Sequence, residues 1–304
     1  MSTDLKQAKA LTLTYLTPVS FASLNGGDKE ADNMVNIKKL TRETEQGPKA
    51  YPYVSSQAVR RALRERLADL GCGLSEGVAA TQKKGAATTL QDPKSYIDDD
   101  LFGYMEGTKG EGGAKGGTKK RTSPVRVSPL LAMDAYQGDL DFGTNYMSVK
   151  AGGDPNIFET EIHSGLYRGT ILIELDRVGC GEGFEKGELE KSERAKRVSA
   201  LLTAVQNLWT SGRQSRFLAD ISPKFVAAAA TRVKTPIFLE SVRLHNGGLQ
   251  TKVLSEVVAD HGDMLIAHTY GARSETFHPV PEGTVTVGEA FKKMQEWVAS
   301  YYGA

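Results

Sequence analysis

Two stretches of this chain repeat apolar residues at helical spacing, and each lies between segments that alternate or run apolar as strands do. That order restricts the fold more than any single motif. In the first stretch Val59, Ala62, Leu63, Leu67 and Leu70 share one side of a helix that Ser55 or Ser56 can cap. In the second, from about Glu190 to Trp209, the residues Val198, Leu201, Leu202, Val205, Leu208 and Trp209 form the inward stripe. Strands are expected where Leu11, Leu13 and Tyr15 alternate with threonines before a turn at Asn25-Gly26-Gly27-Asp28, at Ser123 to Met133, at Phe158 to Gly179, and at Ile237 to Leu244 after an alanine-rich connection. Strand, helix, strand, strand, helix, strand is the split βαβ, RRM-like (ferredoxin-like) order, and the alternation also permits other α+β sandwiches. A short strand near Met264 to Tyr270 and an amphipathic helix from Val287 to Tyr302 complete the tail.

Four excursions interrupt this pattern. A polar, hairpin-like stretch runs from Asn36 to Pro52. Between Gly71 and Met105 lie polar loops and one helical candidate, Pro93 to Met105, introduced by Asp92. Residues 107 to 121 hold six glycines and five Lys or Arg against one Glu, too little apolar surface to offset chain entropy, which predicts a mobile basic loop. Asp134 to Asn156 carries Gly, Asp and aromatic residues and reads as a long hairpin.

Charge and cysteine content exclude several classes. The chain has 304 residues, with 38 Lys plus Arg against 37 Asp plus Glu, so binding to nucleic acid by bulk charge is excluded while local basic faces are not. The two cysteines, Cys72 and Cys180, form no C-x-x-C, which argues against a disulfide scaffold or a cysteine zinc module and fits a reducing cytoplasm. No signal-peptide core or membrane span is expected. The five histidines show no metal spacing, residues 107 to 120 lack the Gly-Lys-Ser/Thr of a phosphate loop, and Asp98-Asp99-Asp100 suits the start or polar face of a short helix better than a cation site.

The candidate sites are basic. Gln57, Arg60, Arg61 and Arg64 fall on the side of the first helix opposite its apolar stripe, beside the helix N-terminus, where guanidinium forks and free N–H groups suit phosphate oxygens. The alternative is a solvated face paired with Glu65 and Asp69. Lys119, Lys120, Arg121 and Arg126 form a second basic group, and Arg213 and Arg216 belong to a third across residues 191 to 232.

Tyr53-Val-Ser-Ser-Gln-Ala-Val-Arg-Arg-Ala-Leu-Arg64 resembles the first helix of the Cascade backbone subunit, the seventh family of CRISPR-associated RAMP proteins. Further segments match in order: Asp100 to Met105, Ser123 to Leu130, Ser164 to Ile173, and Arg213 to Phe217 with Ile221-Ser-Pro223. The opening Leu11 to Asp28 and the Asn36 to Leu40 hairpin are similar to the DevR branch, typical of type I-B systems. The resemblance spans roughly residues 8 to 245.

It implies an RRM-like palm (1–70, 123–131 and 165–304), a finger insertion (71–122) and a thumb β-hairpin (132–164). It also implies a non-catalytic subunit that needs no cofactor and stacks along CRISPR RNA with other copies of itself. Other Cascade subunits would join it: the large subunit, the guide 5′-end subunit and the guide-processing subunit. Target DNA would pair with the guide. On this resemblance Ser23, Asn25, Gly26, Gly27, Ser55, Ser56, Gln57, Arg60, Arg61, Arg64, Lys119, Lys120, Arg121, Arg126, Arg168, Arg213 and Arg216 would hold the RNA by charge and shape, whatever its sequence. Phe142, Tyr146, Met147 and Phe158 are candidate thumb wedges. Two rival readings remain: a metal-dependent RNA-cleaving subunit of type III kind, using Asp28 and Asp32, and a stand-alone regulatory RNA-binding protein.

Overall fold

The computed structural model describes residues 2–26, 34–75, 89–107, 118–154, 156–210, 216–273 and 275–304. Alternation along the Ala10–Ala22 strand sends Leu11, Leu13 and Tyr15 to one face and Thr12, Thr14 and Leu16 to the other, so a sheet built on it must be covered on both sides. It lies inside an eight-stranded sheet of order Leu265–Ala272, Phe225–Thr231, Ala10–Ala22, His163–Glu174, Leu130–Ala132, Gly47–Val54, Lys39–Thr44. Val125–Val127 also pairs with His163–Glu174, and every pairing is antiparallel. The molecule is therefore mixed α+β, with one large antiparallel sheet.

The helices Ser56–Asp69, Lys191–Gln206 and Val287–Tyr302 cover one face. Val59, Ala62, Leu63 and Leu67 are the buried stripe of the first, and each fully buried leucine contributes about 1.5–3 kcal/mol. On the other face Ile237, Phe238, Val242 and Leu254 cover the Phe225–Thr231 end of the sheet, and the His163–Glu174 side stays more open. A separate three-stranded sheet pairs Leu140–Asn145 with Asn156–Glu161 and adds Met34–Val35 beside the latter. The short helix Met147–Lys150 lies in the connection of this hairpin.

Several expectations are corrected. The last central strand is the alanine run Phe225–Thr231, not Ile237 to Leu244, which forms turns packed over it. Alanine is a poor strand former, but this strand is buried along its whole length between two layers, where small side chains let both approach. The Ser123 to Met133 strand breaks at Ser128-Pro129, where Ser128 Oγ accepts the Thr170 N–H at 2.8 Å. The Phe158 to Gly179 strand breaks at Ile162 into hairpin and sheet portions. The Pro93 to Met105 helix is only Ile97–Phe102, followed by the strand Tyr104–Gly107. That strand pairs with Thr118–Arg121, so this end of the expected mobile loop is a hairpin; residues 108–117 lie outside the described residues. The helix Thr251–His261 has no counterpart in the sequence reading.

The aspartate triplet does lie in the first turn of a short helix, Ile97–Phe102, as the sequence suggests. Asp98, Asp99 and Asp100 are all buried, because arginines from distant segments meet two of them. Arg64 Nε lies 3.2 Å from Asp98, Arg197 lies 2.8 Å from Asp100, and Arg121 takes the other Asp100 oxygen. The insertion is thus locked to the first and second long helices.

Candidate nucleic-acid interface

The site begins where the Gly47–Val54 strand turns into the Ser56–Asp69 helix. Ser55 caps the helix by accepting the Ala58 N–H at 3.3 Å, and its own N–H donates to Asn25 Oδ1 at 2.7 Å. Asn25 also accepts the Lys38 N–H through its carbonyl at 2.9 Å, so the turn after the first strand is fastened to the helix entrance. Gly26 is exposed there, as is Gln57 on the first helical turn. Ser23 is buried, which removes it from any strand-binding surface.

The helix arginines divide. Arg61 points to solvent and meets Glu65 at 3.3 Å. Arg64 turns inward to Asp98 and over the Phe102 ring, 4.7 Å from its centre, and so joins the helix to the insertion. Arg60 is half-buried and makes no ion pair among the described residues, and its Nε has no hydrogen-bond partner there. Burial, then the charges of Arg64 and Arg126, hold its guanidinium below the ordinary arginine pKa. A cation desolvated among cations is at a free-energy disadvantage that an added anion would relieve.

Arg126 extends the basic surface. It is half-exposed and bonded to Glu174 at 2.7 Å. Lys119 and Lys120 are exposed on the insertion hairpin, where Lys119 donates to the Gln91 carbonyl at 3.1 Å.

Two sequence candidates are corrected. Arg121 is 2% exposed, and its N–H groups are taken up by Asp100 and by the carbonyls of Arg177, Cys180 and Glu182. Arg168 is also buried, donating to the Val242 carbonyl at 3.2 Å and to Glu240 at 2.7 Å. Both hold the fold together, and Arg121 leaves no donor for a ligand. Gly27, Asp28, Asp32 and Arg213 lie outside the described residues.

Arg216 serves the hairpin. It bonds Asp141 and Thr160 and lies over the Phe158 ring, 4.6 Å from its centre, and over Phe217 at 4.9 Å. Phe158 is pinned further by Gly143 opposite, where any Cβ would run into its ring. That excludes Phe158 as a free wedge. Phe142, Tyr146 and Met147 are largely exposed. At the hairpin base Glu161 accepts the Ile37 N–H at 2.8 Å and pairs with Lys39.

Among the described residues no group of three or more His, Cys, Asp or Glu side chains could hold a metal ion, and no helix is long and apolar enough to cross a membrane.

Comparison with known proteins agrees with this architecture. A chain titled "CRISPR RNA-guided surveillance complex" superposes with a TM-score of 0.59 at 15% identity, covering 94% of this chain and 98% of that one. Another, titled "CRISPR RNA-guided surveillance complex, pre-nicking", gives 0.62 at 13% identity, covering 96% and 100%. At this identity the likeness establishes the fold. A curated Myxococcus xanthus (strain DK1622) protein named CRISPR-associated protein Cas7/Cst2/DevR is 29% identical over 244 residues, 74% of this chain and 73% of its own length. The family model described as CRISPR-associated negative auto-regulator DevR/Csa2 matches residues 17–251, well over half of the chain, and the chain therefore belongs to the CRISPR-associated DevR/Csa2 family.

Proposed function

We propose that this chain is a non-catalytic, CRISPR RNA-binding backbone subunit that multimerises along the guide in a type I-B Cascade surveillance complex and presents it for pairing with target DNA. The observation that carries the proposal is Arg60: half-buried, unpaired among the described residues, and next to other arginines beside a helix entrance. Gln57, Arg61, Gly26, Arg126, Lys119 and Lys120 would continue that grip along the phosphates. Such contacts read charge and shape, so the base sequence is left to pairing.

In this proposal the central strands and the first two long helices form an RRM-like palm, residues 71–122 the fingers and 132–164 the thumb. The central order supports it, since the strands Phe225–Thr231, Ala10–Ala22, His163–Glu174 and Leu130–Ala132 are neighbours in that sequence. Other copies of the chain and the remaining Cascade subunits would be its partners, in the cytoplasm.

The test is native mass spectrometry of the protein expressed with a CRISPR array and the other subunits. Several copies on one RNA of guide length, growing in number with spacer length, are expected. One copy per RNA at every length would favour the stand-alone regulator instead. Magnesium-dependent cutting of RNA paired to the guide, lost in Asp28→Ala with Asp32→Ala, would overturn the non-catalytic reading.

A further inference from the structure

At the end of the large sheet away from the Asn25 turn, three segments far apart in the chain bring cations to one cavity of about 420 Å3. Lys6 stands before the Ala10–Ala22 strand, and Lys191 and Arg194 lie in the first turn of the Lys191–Gln206 helix. Tyr301, Tyr302 and Gly303 come from the end of the Val287–Tyr302 helix. At roughly 3.3 Å per residue, the Ala10–Ala22 strand separates Lys6 from the Asn25 turn by about 40 Å. Lys6 and the two tyrosines also fall outside residues 17–251, the part shared with the family.

The positive charge here is not used up within the protein. Lys6 and Lys191 are exposed and make no ion pair among the described residues. Arg194 lies over the Tyr302 ring, 5.3 Å from its centre. Its Nη2 donates to Cys180 Sγ at 3.1 Å, a weak acceptor, and its Nε has no hydrogen-bond partner among the described residues. The Glu188 carboxylate that Arg194 faces is 3.6 Å away and largely exposed, and Asp176, the acid on the Tyr301 side, is taken by Lys234 at 2.8 Å. No carboxylate lines the cavity itself.

An occupant that answers three converging cations carries a compact, multiply charged anionic head, and phosphate oxygens are what Lys and Arg donors recognise in this way. A bare phosphate would leave most of the volume empty, since cavities for small organic ligands begin at roughly 300 Å3. The half-exposed Tyr301 adds an aromatic wall for the rest of the ligand, braced edge-on by Tyr302 at 4.7 Å between ring centres.

We propose that this cavity binds a nucleoside phosphate, with the phosphate on Lys6, Lys191 and Arg194 and the nucleoside against Tyr301. A free mononucleotide and the phosphorylated end of a strand share that chemistry. The site is separate from the grip at the Ser56–Asp69 helix and does not depend on it.

The experiment measures binding of 5′-AMP, adenosine and inorganic phosphate to the full chain by titration calorimetry. AMP should bind saturably at one site per chain, and adenosine and phosphate each about tenfold more weakly or less tightly still, because each lacks half of the recognition. Lys6→Ala with Lys191→Ala, both at exposed positions, should weaken AMP by about tenfold or more, the loss expected for charge-assisted hydrogen bonds. The same variant should keep the wild-type unfolding midpoint and its affinity for RNA with a 5′-hydroxyl end. Arg60→Ala should leave AMP binding unchanged. A 5′-phosphorylated dinucleotide that binds more tightly than AMP, with the gain lost in the lysine variant, would identify a strand end as the source; equal binding would identify the free nucleotide.

Absence of saturable binding by both AMP and the phosphorylated dinucleotide overturns the proposal, as does AMP binding that the lysine variant leaves unchanged. Inorganic phosphate binding as tightly as AMP also overturns it, since the nucleoside would then add nothing. Loss of AMP binding in Arg60→Ala would put the nucleotide on the helix grip and overturn it as well.

Discussion

Arg197 donates to Asp100 across 2.8 Å although both side chains are buried, at 5% and 0% exposure. Its second long helix is thereby bolted to the insertion, and the same guanidinium also donates to the carbonyls of Pro93 at 2.6 Å and Lys94 at 2.7 Å. Removing one partner of a buried pair costs about 3–5 kcal/mol when the other charge is left uncompensated, and here Arg121 still faces Asp100, so the loss should fall below that range. Arg197→Ala should lower the urea unfolding midpoint accordingly. Arg197→Lys should rescue little, since a point charge cannot span the carboxylate and two carbonyls as a planar fork does. Wild-type stability in either variant would show that the network contributes nothing net.

Arg60 and Arg61 make the opposite case. Arg60 has no ion-pair partner among the described residues, and Arg61 has only an exposed pair with Glu65, so their joint replacement by alanine should leave stability within about 0.5 kcal/mol. RNA binding should weaken, and the slope of log affinity against log salt should fall by about 0.7 for each single-strand phosphate that is no longer neutralised. The weakening should be the same for unrelated spacers. An effect confined to one spacer would mean that bases are read here.

Acid should act through Glu174. Burial opposes its ionisation, but hydrogen bonds from Lys234, Arg126 and Arg177 outweigh this and hold its carboxyl below the usual 4.5. A depressed folded-state pKa gives stability that is present above the unfolded value and lost as pH falls through the folded one. Unfolding midpoints should therefore drop as the pH is lowered below about 4.5, and Glu174→Gln should flatten that limb. An unchanged limb in the variant would remove Glu174 from the account.

Much of the fold was legible because local patterns carried it. The stripe Val59, Ala62, Leu63, Leu67 and the alternation of Leu11, Leu13 and Tyr15 need no tertiary information to be read. The alanine strand was not legible, because Ala227 to Ala230 become a strand only between two neighbouring strands and two packed layers. The basic site divides in the same way. Nothing near Arg121 or Arg168 in the chain distinguishes them from Arg60; their partners arrive from Asp100, Cys180 and Glu240 through the tertiary fold. Spacing finds cations, and only burial says which of them are already in use.

The hairpin of Leu140–Asn145 and Asn156–Glu161, the proposed thumb, gives the sharpest test among the wedge candidates. Phe142 faces away from the Arg216 side: it stands opposite Glu159, whereas Phe158, opposite Gly143, lies under the guanidinium on the other face. Phe142 and Tyr146 are 63% and 68% exposed, so replacing either with serine should change stability by less than about 0.5 kcal/mol. Phe158→Ser should cost more, because Arg216 and Gly143 both pack on that ring. If the hairpin parts neighbouring bases of a paired guide, Phe142→Ser or Tyr146→Ser should reduce the periodic reactivity of the target strand toward single-strand probes while leaving copy number on the RNA intact. Undiminished periodicity in the double variant would exclude both residues as the wedge and leave Met147, the remaining exposed candidate, to be tested in the same way.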